Sequence, residues 1–174
     1  MTVRASSVQS ARPADRVHLA VVGSGDATAT ERREAERVGR AAAEAGAVVV
    51  CGGLGGVMEA ACMGAKGAGG FTVGILPGSD RAAANLYVDV AVPTGLGEAR
   101  NALVVRSADA VVAVGGEYGT LSEIALALQA GIPVVGLGTW DLVRRGRPDR
   151  GVQRADTAHE AVTTAIGLAR SRRA

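Results

Sequence analysis

Three segments rich in glycine and small hydroxyl residues are the first candidates for chemistry. They are GSGDAT at 23–28, CGGLGGVME at 51–59 and GGEYGTLSE at 115–123. Glycine lets the backbone approach a phosphate closely, and the N-terminus of a following helix adds unpaired N–H donors and the positive end of the helix dipole. Three such loops at one edge of a sheet would form an anion site. The alternative is that these glycines only serve tight turns.

The residues predicted to bind a phosphate or a nucleotide come from these loops and from the segment near position 100. They are Ser24, Gly25, Gly52, Gly53, Met58, Asn101, Gly116, Gly119 and Thr120. The N–H groups of Gly119 and Thr120 are expected to hold the phosphate, because they would open a helix. Tyr118 could stack on a ligand or on a second copy of the chain. Met58 could touch a base, although the ordinary interpretation is a core methionine.

Two common nucleotide-binding motifs do not fit the sequence. The GSGDAT loop lacks the third glycine of GxGxxG, and the second strand ends at Val50, Cys51 and Gly52 with no acidic residue to hold a ribose diol. A dehydrogenase is therefore disfavoured. The sequence also contains no GxxxxGK[ST] motif, which disfavours a P-loop NTPase.

The elements that must position these loops follow from an alternation along the chain. From Val17 onward, short β-branched runs alternate with alanine-rich amphipathic stretches, a pattern typical of βαβ units and a parallel sheet. Strands are predicted at 17–23, 47–52, 71–77, 86–92, 110–116 and 132–138. Because ligands bind at the carboxyl ends of such strands, the loops that follow them are expected to form the site.

Helices are predicted between these strands. The first begins after a capping box formed by Thr28 and Glu31 and ends at Gly46. Its expected buried face is Ala35, Val38, Ala42 and Ala45, and that of the second is Met58, Ala61, Cys62 and Ala65. Further helices are predicted at 98–107, 120–130 and 157–170, whereas the basic segment 139–156 receives no assigned structure.

The predicted fold class is a single-domain, Rossmann-like α/β fold. Its sheet is expected to be mainly parallel, with about six or seven strands and helices on both faces. The domain is expected to span 16–171, after a disordered tail at 1–15. A chain of 174 residues that is 48% hydrophobic suits one compact domain with its own core.

Composition and charge argue against several classes of partner. The formal net charge is +2 and the basic residues are spread along the chain, so nucleic acid is not a predicted partner. No apolar run approaches the roughly 18 residues of a membrane span, and no signal peptide is recognised, so we expect no membrane partner and a cytoplasmic location. Cys51 and Cys62 lack metal-ligand spacing, which predicts buried, reduced thiols and no metal site.

Two long segments resemble a known family. CGGLGGVMEAACMGAKGAGGFTVGILPG at 51–78 and GLGEARNALVVRSADAVVAVGGEYGTLSEIALAL at 95–128 are similar to the LONELY GUY superfamily. The more similar branch is the small bacterial Rossmann-like proteins that include molybdenum-cofactor carrier proteins. The superfamily has also carried the label of lysine decarboxylases. That activity is not expected here, because Lys66 is the single lysine and lacks a setting for a Schiff base with pyridoxal phosphate.

The resemblance implies a homodimer and, in the enzymes of the superfamily, hydrolysis of an N6-modified adenosine 5′-monophosphate to the free base and ribose 5-phosphate. Those enzymes carry a PGGxGTxxE loop and an Arg-Lys pair on a preceding helix. The residues that match are Gly116, Gly119, Thr120, Glu123 and Arg100. The departures are Gly115 in place of proline, Glu117 in place of glycine and Asn101 in place of lysine.

The resemblance implies that Arg100 and Glu123 are the catalytic residues. Glycosidic cleavage develops positive charge on the ribose, so a carboxylate beneath the sugar can activate water while a cation holds phosphate or sugar hydroxyls. Each residue also has a structural interpretation. Thr120-x-x-Glu123 matches a capping box, and Arg100 could be a solvated or ion-paired residue on a helix face.

The sequence leaves three functions open. The first is a nucleotide-binding phosphoribohydrolase that acts on AMP or N6-modified AMP. The second is a non-catalytic carrier or sensor of molybdenum cofactor or of a phosphorylated nucleotide, which the departures at Asn101 and Glu117 favour. The third is a regulatory or interaction domain whose glycine loops are only structural. No cofactor is expected to be required for activity.

Overall fold

A seven-stranded parallel sheet forms the centre of the molecule in the computed structural model, which describes residues 15–173. Its strands are β1 (His18–Gly23), β2 (Val48–Cys51), β3 (Phe71–Leu76), β4 (Val90–Pro93), β5 (Ala110–Val114), β6 (Val134–Leu137) and β9 (Val152–Ala155). The short strands β7 (Val143–Arg144) and β8 (Arg147–Pro148) form a separate antiparallel hairpin. The predicted tail at 1–15 lies, apart from Asp15, outside the described residues.

The order of the strands places a switch point at the centre of the sheet. The order is β4-β3-β2-β1-β5-β6-β9, and each neighbouring pair is parallel. On β1, Leu19 pairs with Val49 on one side and with Ala110 on the other. The chain therefore adds strands in opposite directions from β1 and from β5, and a crevice opens between the loops that follow these two strands.

Helices cover both faces of the sheet. One face packs against α1 (Ala29–Glu44), α2 (Val57–Gly67) and α5 (Ala158–Arg173), and the other against α3 (Asn101–Arg106) and α4 (Tyr118–Gln129). Alternate residues of β1 point to the two faces: Leu19 and Val21 pack in the first cluster, and Ala20 and Val22 in the second. The predicted fold class is therefore confirmed, and the central strands are apolar on both faces because helices bury both.

All six predicted strands occur, although their bounds are shorter than predicted. The largest error is at 86–92, where β4 begins only at Val90 and Leu86 is 95% exposed. The backbone of the preceding residues bonds to the Thr72 side chain. The Thr72 hydroxyl donates to the Tyr87 carbonyl at 2.6 Å and accepts the N–H of Asp89 at 2.9 Å.

The predicted capping box at the start of α1 is confirmed. Thr28 accepts the N–H of Glu31, and the Glu31 carboxylate accepts the N–H of Thr28. The predicted buried face is correct except at Ala45, which is exposed because the helix ends one residue earlier and Ala45 is its C-cap. All four residues predicted to be buried on α2 are buried.

Two other segments differ from their predicted structure. The helix predicted at 98–107 is a 3-10 turn (Gly97–Arg100) that continues into α3. The unassigned segment 139–156 contains the β7–β8 hairpin and β9, the seventh strand of the sheet. The sequence of β9, VQRA, lacks the apolar run that identified the other strands, because β9 lies at the edge of the sheet and is only partly buried.

Cys51 and Cys62 are buried free thiols, as predicted, and their Sγ atoms lie 3.4 Å apart. Residues 15–173 contain no group of three or more potential ligands (His, Cys, Asp or Glu) that could hold a metal ion. Within the same range, no helix combines the length and the apolar character needed to cross a membrane.

Candidate functional site

A cavity of about 260 Å³ lies at the crevice between β1 and β5. It is lined by Gly23, Ser24, Gly25, Met58, Glu98, Arg100, Asn101, Glu117, Gly119, Thr120 and Glu123. The first and third glycine-rich segments therefore meet at this cavity, whereas the second contributes only Met58. Gly23 permits the close approach, because a Cβ there would lie 2.6 Å from the carbonyl oxygen of Val114 on β5.

Helix α4 presents an uncapped N-terminus to the cavity. The helix begins at Tyr118, and its N-cap residue Glu117 makes no side-chain hydrogen bond to it. The first N–H bonded within the helix is that of Leu121, so those of Tyr118, Gly119 and Thr120 have no acceptor within residues 15–173. Unpaired donors and the positive end of the helix dipole make this helix end suitable for an anion.

The start of α4 also excludes the capping-box interpretation of Glu123. The predicted helix began at Thr120, but the observed helix begins two residues earlier. Thr120 is therefore inside the first turn, and Glu123 is too far along the helix to bond back to the N-cap. The carboxylate is instead directed into the cavity, where it pairs with Arg100.

Arg100 and Glu123 form a buried ion pair. Nη1 of Arg100 lies 3.6 Å from Oε1 of Glu123, and each side chain is only 9% exposed. The same Nη1 donates to Oδ1 of Asn101 at 2.6 Å. The Nε atom of Arg100 is buried without a hydrogen-bond partner in the described part of the chain. Because an unpaired buried donor is unfavourable, the guanidinium retains capacity to bind a further acceptor.

The environment of Glu123 makes its carboxyl group harder to ionise than a solvated one. Burial raises the pKa of Glu123 from 4.5 to about 7, although the Arg100 guanidinium opposes the rise. The long 3.6 Å contact explains why the cation does not offset the burial. Near neutral pH this carboxyl can therefore hold or release a proton.

Glycine at position 52 makes room for the arginine. A Cβ on Gly52 would lie 2.4 Å from Nη2 of Arg100 and 2.7 Å from Sδ of Met58. Gly52 therefore contributes to the site by leaving space, and it does not line the cavity itself.

The remaining glycines of the second loop pack against protein atoms. A Cβ on Gly53 would lie 2.7 Å from the Leu76 side chain, and a Cβ on Gly56 would lie 2.2 Å from the carbonyl oxygen of Ser24. The predicted contact of Gly53 with a ligand is not supported by this position. For this loop the alternative in which the glycines serve the backbone is the better description.

Of the other predicted binding residues, three line the cavity and one does not. Ser24 and Gly25 line the cavity, and the Ser24 hydroxyl also accepts the N–H of Asp26 at 3.0 Å. Met58 both lines the cavity and packs with the buried thiols of Cys51 and Cys62. Gly116 does not line the cavity, and its N–H donates to the Glu31 carboxylate at 3.2 Å.

Three side chains, one from α1 and two from the loop after β6, hold the loop between β5 and α4, and sequence reasoning missed these contacts. Besides the bond from Gly116 to Glu31, the Thr139 hydroxyl donates to the carbonyl of Gly115 at 2.5 Å. The indole of Trp140 donates to the carbonyl of Glu117 at 3.2 Å, and its ring lies 5.6 Å from that of Tyr118. Tyr118 thus has a partner within the chain, although it remains largely exposed.

Larger depressions surround the β7–β8 hairpin, and one of about 810 Å³ is lined mainly by arginines. Their lining side chains are mostly exposed, and they lie apart from the buried ion pair and the uncapped helix. The buried ion pair and the uncapped helix therefore favour the smaller cavity, at the crevice between β1 and β5, as the candidate functional site.

Comparison with known proteins identifies a family and several similar proteins. Residues 16–166 match the model of the SLOG cluster4 family. An uncharacterized protein of Archaeoglobus fulgidus is 46% identical over 121 residues, which is 70% of this chain and 80% of that protein. Two solved structures are similar over most of their length. The molybdenum cofactor binding protein of Rippkaea orientalis is 36% identical, with 88% of this chain and 97% of that chain covered and a TM-score of 0.79.

The second is a Moco carrier protein from Chlamydomonas reinhardtii, which is 34% identical, with 90% of this chain and 99% of that chain covered and a TM-score of 0.78. These matches confirm the resemblance to the LONELY GUY-like branch that includes molybdenum-cofactor carriers. Since the family model covers most of the chain, the protein belongs to the SLOG cluster4 family.

Proposed function

We propose that the protein binds a small phosphate-bearing ligand, a nucleotide or a molybdopterin-type cofactor, at the carboxyl ends of β1 and β5. The observation that carries the proposal is the pairing of an uncapped helix N-terminus with a buried guanidinium on one cavity. The α4 N–H groups would hold the phosphate oxygens, and Arg100 would supply the cation. The raised pKa of Glu123 limits the repulsion between its carboxyl group and the bound anion.

The first form of this function is that of a carrier or sensor without catalysis. Two similar structures are a molybdenum cofactor binding protein and a Moco carrier protein. The residue beside Arg100 also supports this form. Asn101 accepts a hydrogen bond from Arg100 and adds no second cation, so the site has less positive charge than the Arg-Lys pair of the similar enzymes.

Mass spectrometry of the protein purified under anaerobic conditions, followed by calorimetric titration with AMP and with molybdopterin, tests this form. We expect saturable binding of at least one ligand by the wild type and a loss of more than tenfold in Arg100→Met, which removes the cation and retains much of the side-chain volume. Leu103→Met, on the exposed surface of α3, is the matched control and should bind as the wild type does. Equal affinity in Arg100→Met would contradict the proposal.

The second form is hydrolysis of the N-glycosidic bond of a nucleoside 5′-monophosphate. One observation favours it: a carboxyl group with a pKa of about 7 faces the cavity beside an arginine. Ionised Glu123 could accept a proton from the attacking water, while Arg100 holds the phosphate or the sugar hydroxyls. In this form the activity should increase as pH rises through about 7.

Incubation with AMP and with N6-modified AMP, followed by chromatography for the free base, tests hydrolysis. We expect base release that is abolished in Glu123→Gln, with ligand binding retained. Binding without base release from either substrate would reject the hydrolase and leave the carrier or sensor.

A further inference from the structure

One carboxylate joins the first helix to the loop that opens the anion site. Oε2 of Glu31 accepts the N–H and the hydroxyl of Thr28, each at 2.8 Å, and so completes the cap of α1. Oε1 of Glu31 accepts the N–H of Gly116 at 3.2 Å, across 85 positions of sequence. The cap of α1 uses only one oxygen, so the second contact is separable from helix capping.

The backbone at position 115 lies directly against the Glu31 carboxylate. Gly115 has a φ of +52°, and a Cβ there would lie 1.9 Å from Oε1 of Glu31. Proline cannot adopt that backbone, because its ring fixes φ near −65°. The departure from the PGGxGT pattern at Gly115 therefore accompanies the insertion of the Glu31 carboxylate beside the loop.

The contact determines the direction of the backbone just before α4. Gly116 also has a positive φ, +100°, and its N–H points toward Glu31. The next residues turn into the helix, and Gly119 and Thr120 line the cavity. A loop with two glycines at positive φ has many alternative conformations, so an external acceptor for Gly116 would restrict it to the one that directs the α4 N-terminus at the ligand.

We propose that Glu31 is a positioning residue for the anion site. It does not touch the ligand: it holds Gly116 and thereby keeps the first turn of α4 in the orientation that binds phosphate. This inference rests on the proposed function, since it assigns Glu31 a role in that same site. It also means that the N–H of Gly116 serves the protein rather than the ligand.

Variants at Glu31 and Thr28 separate the contact with Gly116 from the cap of α1. Glu31→Gln keeps one oxygen acceptor, which can satisfy the N–H of Thr28 or that of Gly116 but not both. Glu31→Ala removes both contacts. Thr28→Ala removes the hydroxyl that caps α1 and retains the backbone N–H that holds Oε2.

The experiment measures the affinity for AMP, for inorganic phosphate and for molybdopterin by calorimetry, together with amide hydrogen exchange, in the wild type and these three variants. We expect affinity at least tenfold lower in Glu31→Ala, between those of Glu31→Ala and the wild type in Glu31→Gln, and within twofold of wild type in Thr28→Ala. The melting temperature should fall in Thr28→Ala and in Glu31→Ala, because both weaken the cap. The Gly116 amide should exchange fastest in Glu31→Ala and at the wild-type rate in Thr28→Ala.

Two results would overturn the inference while leaving the proposed function intact. One is wild-type affinity in Glu31→Ala, and the other is a Gly116 amide that exchanges no faster in Glu31→Ala than in the wild type. A loss in Thr28→Ala as large as that in Glu31→Ala would overturn it too, by showing that helix capping alone matters. If the wild type itself binds none of AMP, phosphate and molybdopterin, the proposed function fails and this inference with it.

Discussion

The two glycine-rich loops at 52–56 and 115–119 differ in what surrounds them. In the first, added Cβ atoms at Gly53 and Gly56 would lie 2.7 Å or less from protein atoms. In the second, Cβ atoms on Gly115 and Gly116 would meet the Glu31 and Thr120 side chains, but one on Gly119 would meet nothing within 4 Å. The first loop is closed by packing, whereas the second ends in a helix whose leading N–H groups are open.

The comparison shows that glycine content alone does not identify an anion site. Both loops follow a parallel strand and precede a helix, and both helices lack a side-chain cap. They differ because the first loop contacts the β1 loop directly, and Gly56 lies against Ser24 and Gly25. The second leaves a cavity at the corresponding place, with a buried arginine beside it.

The largest effect on stability should come from adding a side chain in the first, closed loop. Gly56→Ala places a Cβ 2.2 Å from the carbonyl oxygen of Ser24, at a residue with a φ of +64° and a ψ of −128°. The backbone atoms of Ser24 cannot move away easily, and alanine is strained in this conformation. We therefore expect a loss of about 4 kcal/mol in the free energy of unfolding. Urea unfolding measures it, and a loss below about 1 kcal/mol would show that the loop is not packed as described.

The next largest effect is the contribution of Glu123 to the pH dependence of the free energy of unfolding. Its pKa is about 7 in the folded protein and 4.5 as the ordinary value, so the folded state binds the proton more tightly. Stability from this group is fully present below pH 4.5 and is lost as pH rises to about 7, by on the order of 3 kcal/mol. The difference in unfolding free energy between wild type and Glu123→Gln should follow this course, and a difference that does not vary with pH would contradict it.

A smaller effect should follow from Gly52→Ala, which sharpens the comparison. Gly52 belongs to the closed loop, but the atoms that its Cβ would meet are the ends of the Arg100 and Met58 side chains. Those ends can move, so we expect only about 1 kcal/mol less stability, but about thirtyfold weaker ligand binding because Arg100 is displaced. Calorimetry with AMP and urea unfolding would separate the two. A lower free energy of unfolding together with an unchanged affinity for AMP would mean that Arg100 does not contact the ligand.

The smallest effect should come from Gly119→Ala in the open loop. Its Cβ has space and alanine favours helices, so stability should stay the same or rise by about 0.5 kcal/mol. The added methyl group would crowd an anion at the helix end, and we expect about tenfold weaker binding. Unchanged affinity for AMP in this variant would indicate that the phosphate lies elsewhere.

Much of the fold could be predicted from sequence because its signals are local. The apolar runs of β1, β2 and β5 and the capping box of Thr28 and Glu31 identify elements without knowledge of their neighbours. β9 could not be predicted in this way. Its residues take the strand conformation by pairing with β6 at the edge of the sheet, and the sequence VQRA carries little of that information.

The site could be predicted in part, for the same reason. Arg100 and Glu123 were found through their motif, although their ion pair depends on tertiary structure. The roles of Thr139 and Trp140 depend on backbone carbonyls of a distant loop, which have no sequence signature. Glu31 already had an explanation as the partner of Thr28, and that local role concealed its contact with Gly116.

The most direct test of the central claim is a titration of isotope-labelled protein with AMP and with inorganic phosphate, followed by the amide signals of Tyr118, Gly119 and Thr120 and by the Nε–H signal of Arg100. We predict that these four signals shift together and saturate at one ligand per chain, while the amides of Gly53 and Gly56 stay nearly unchanged. Saturable binding that shifts the closed-loop amides and leaves the α4 N-terminus unaffected would contradict the account.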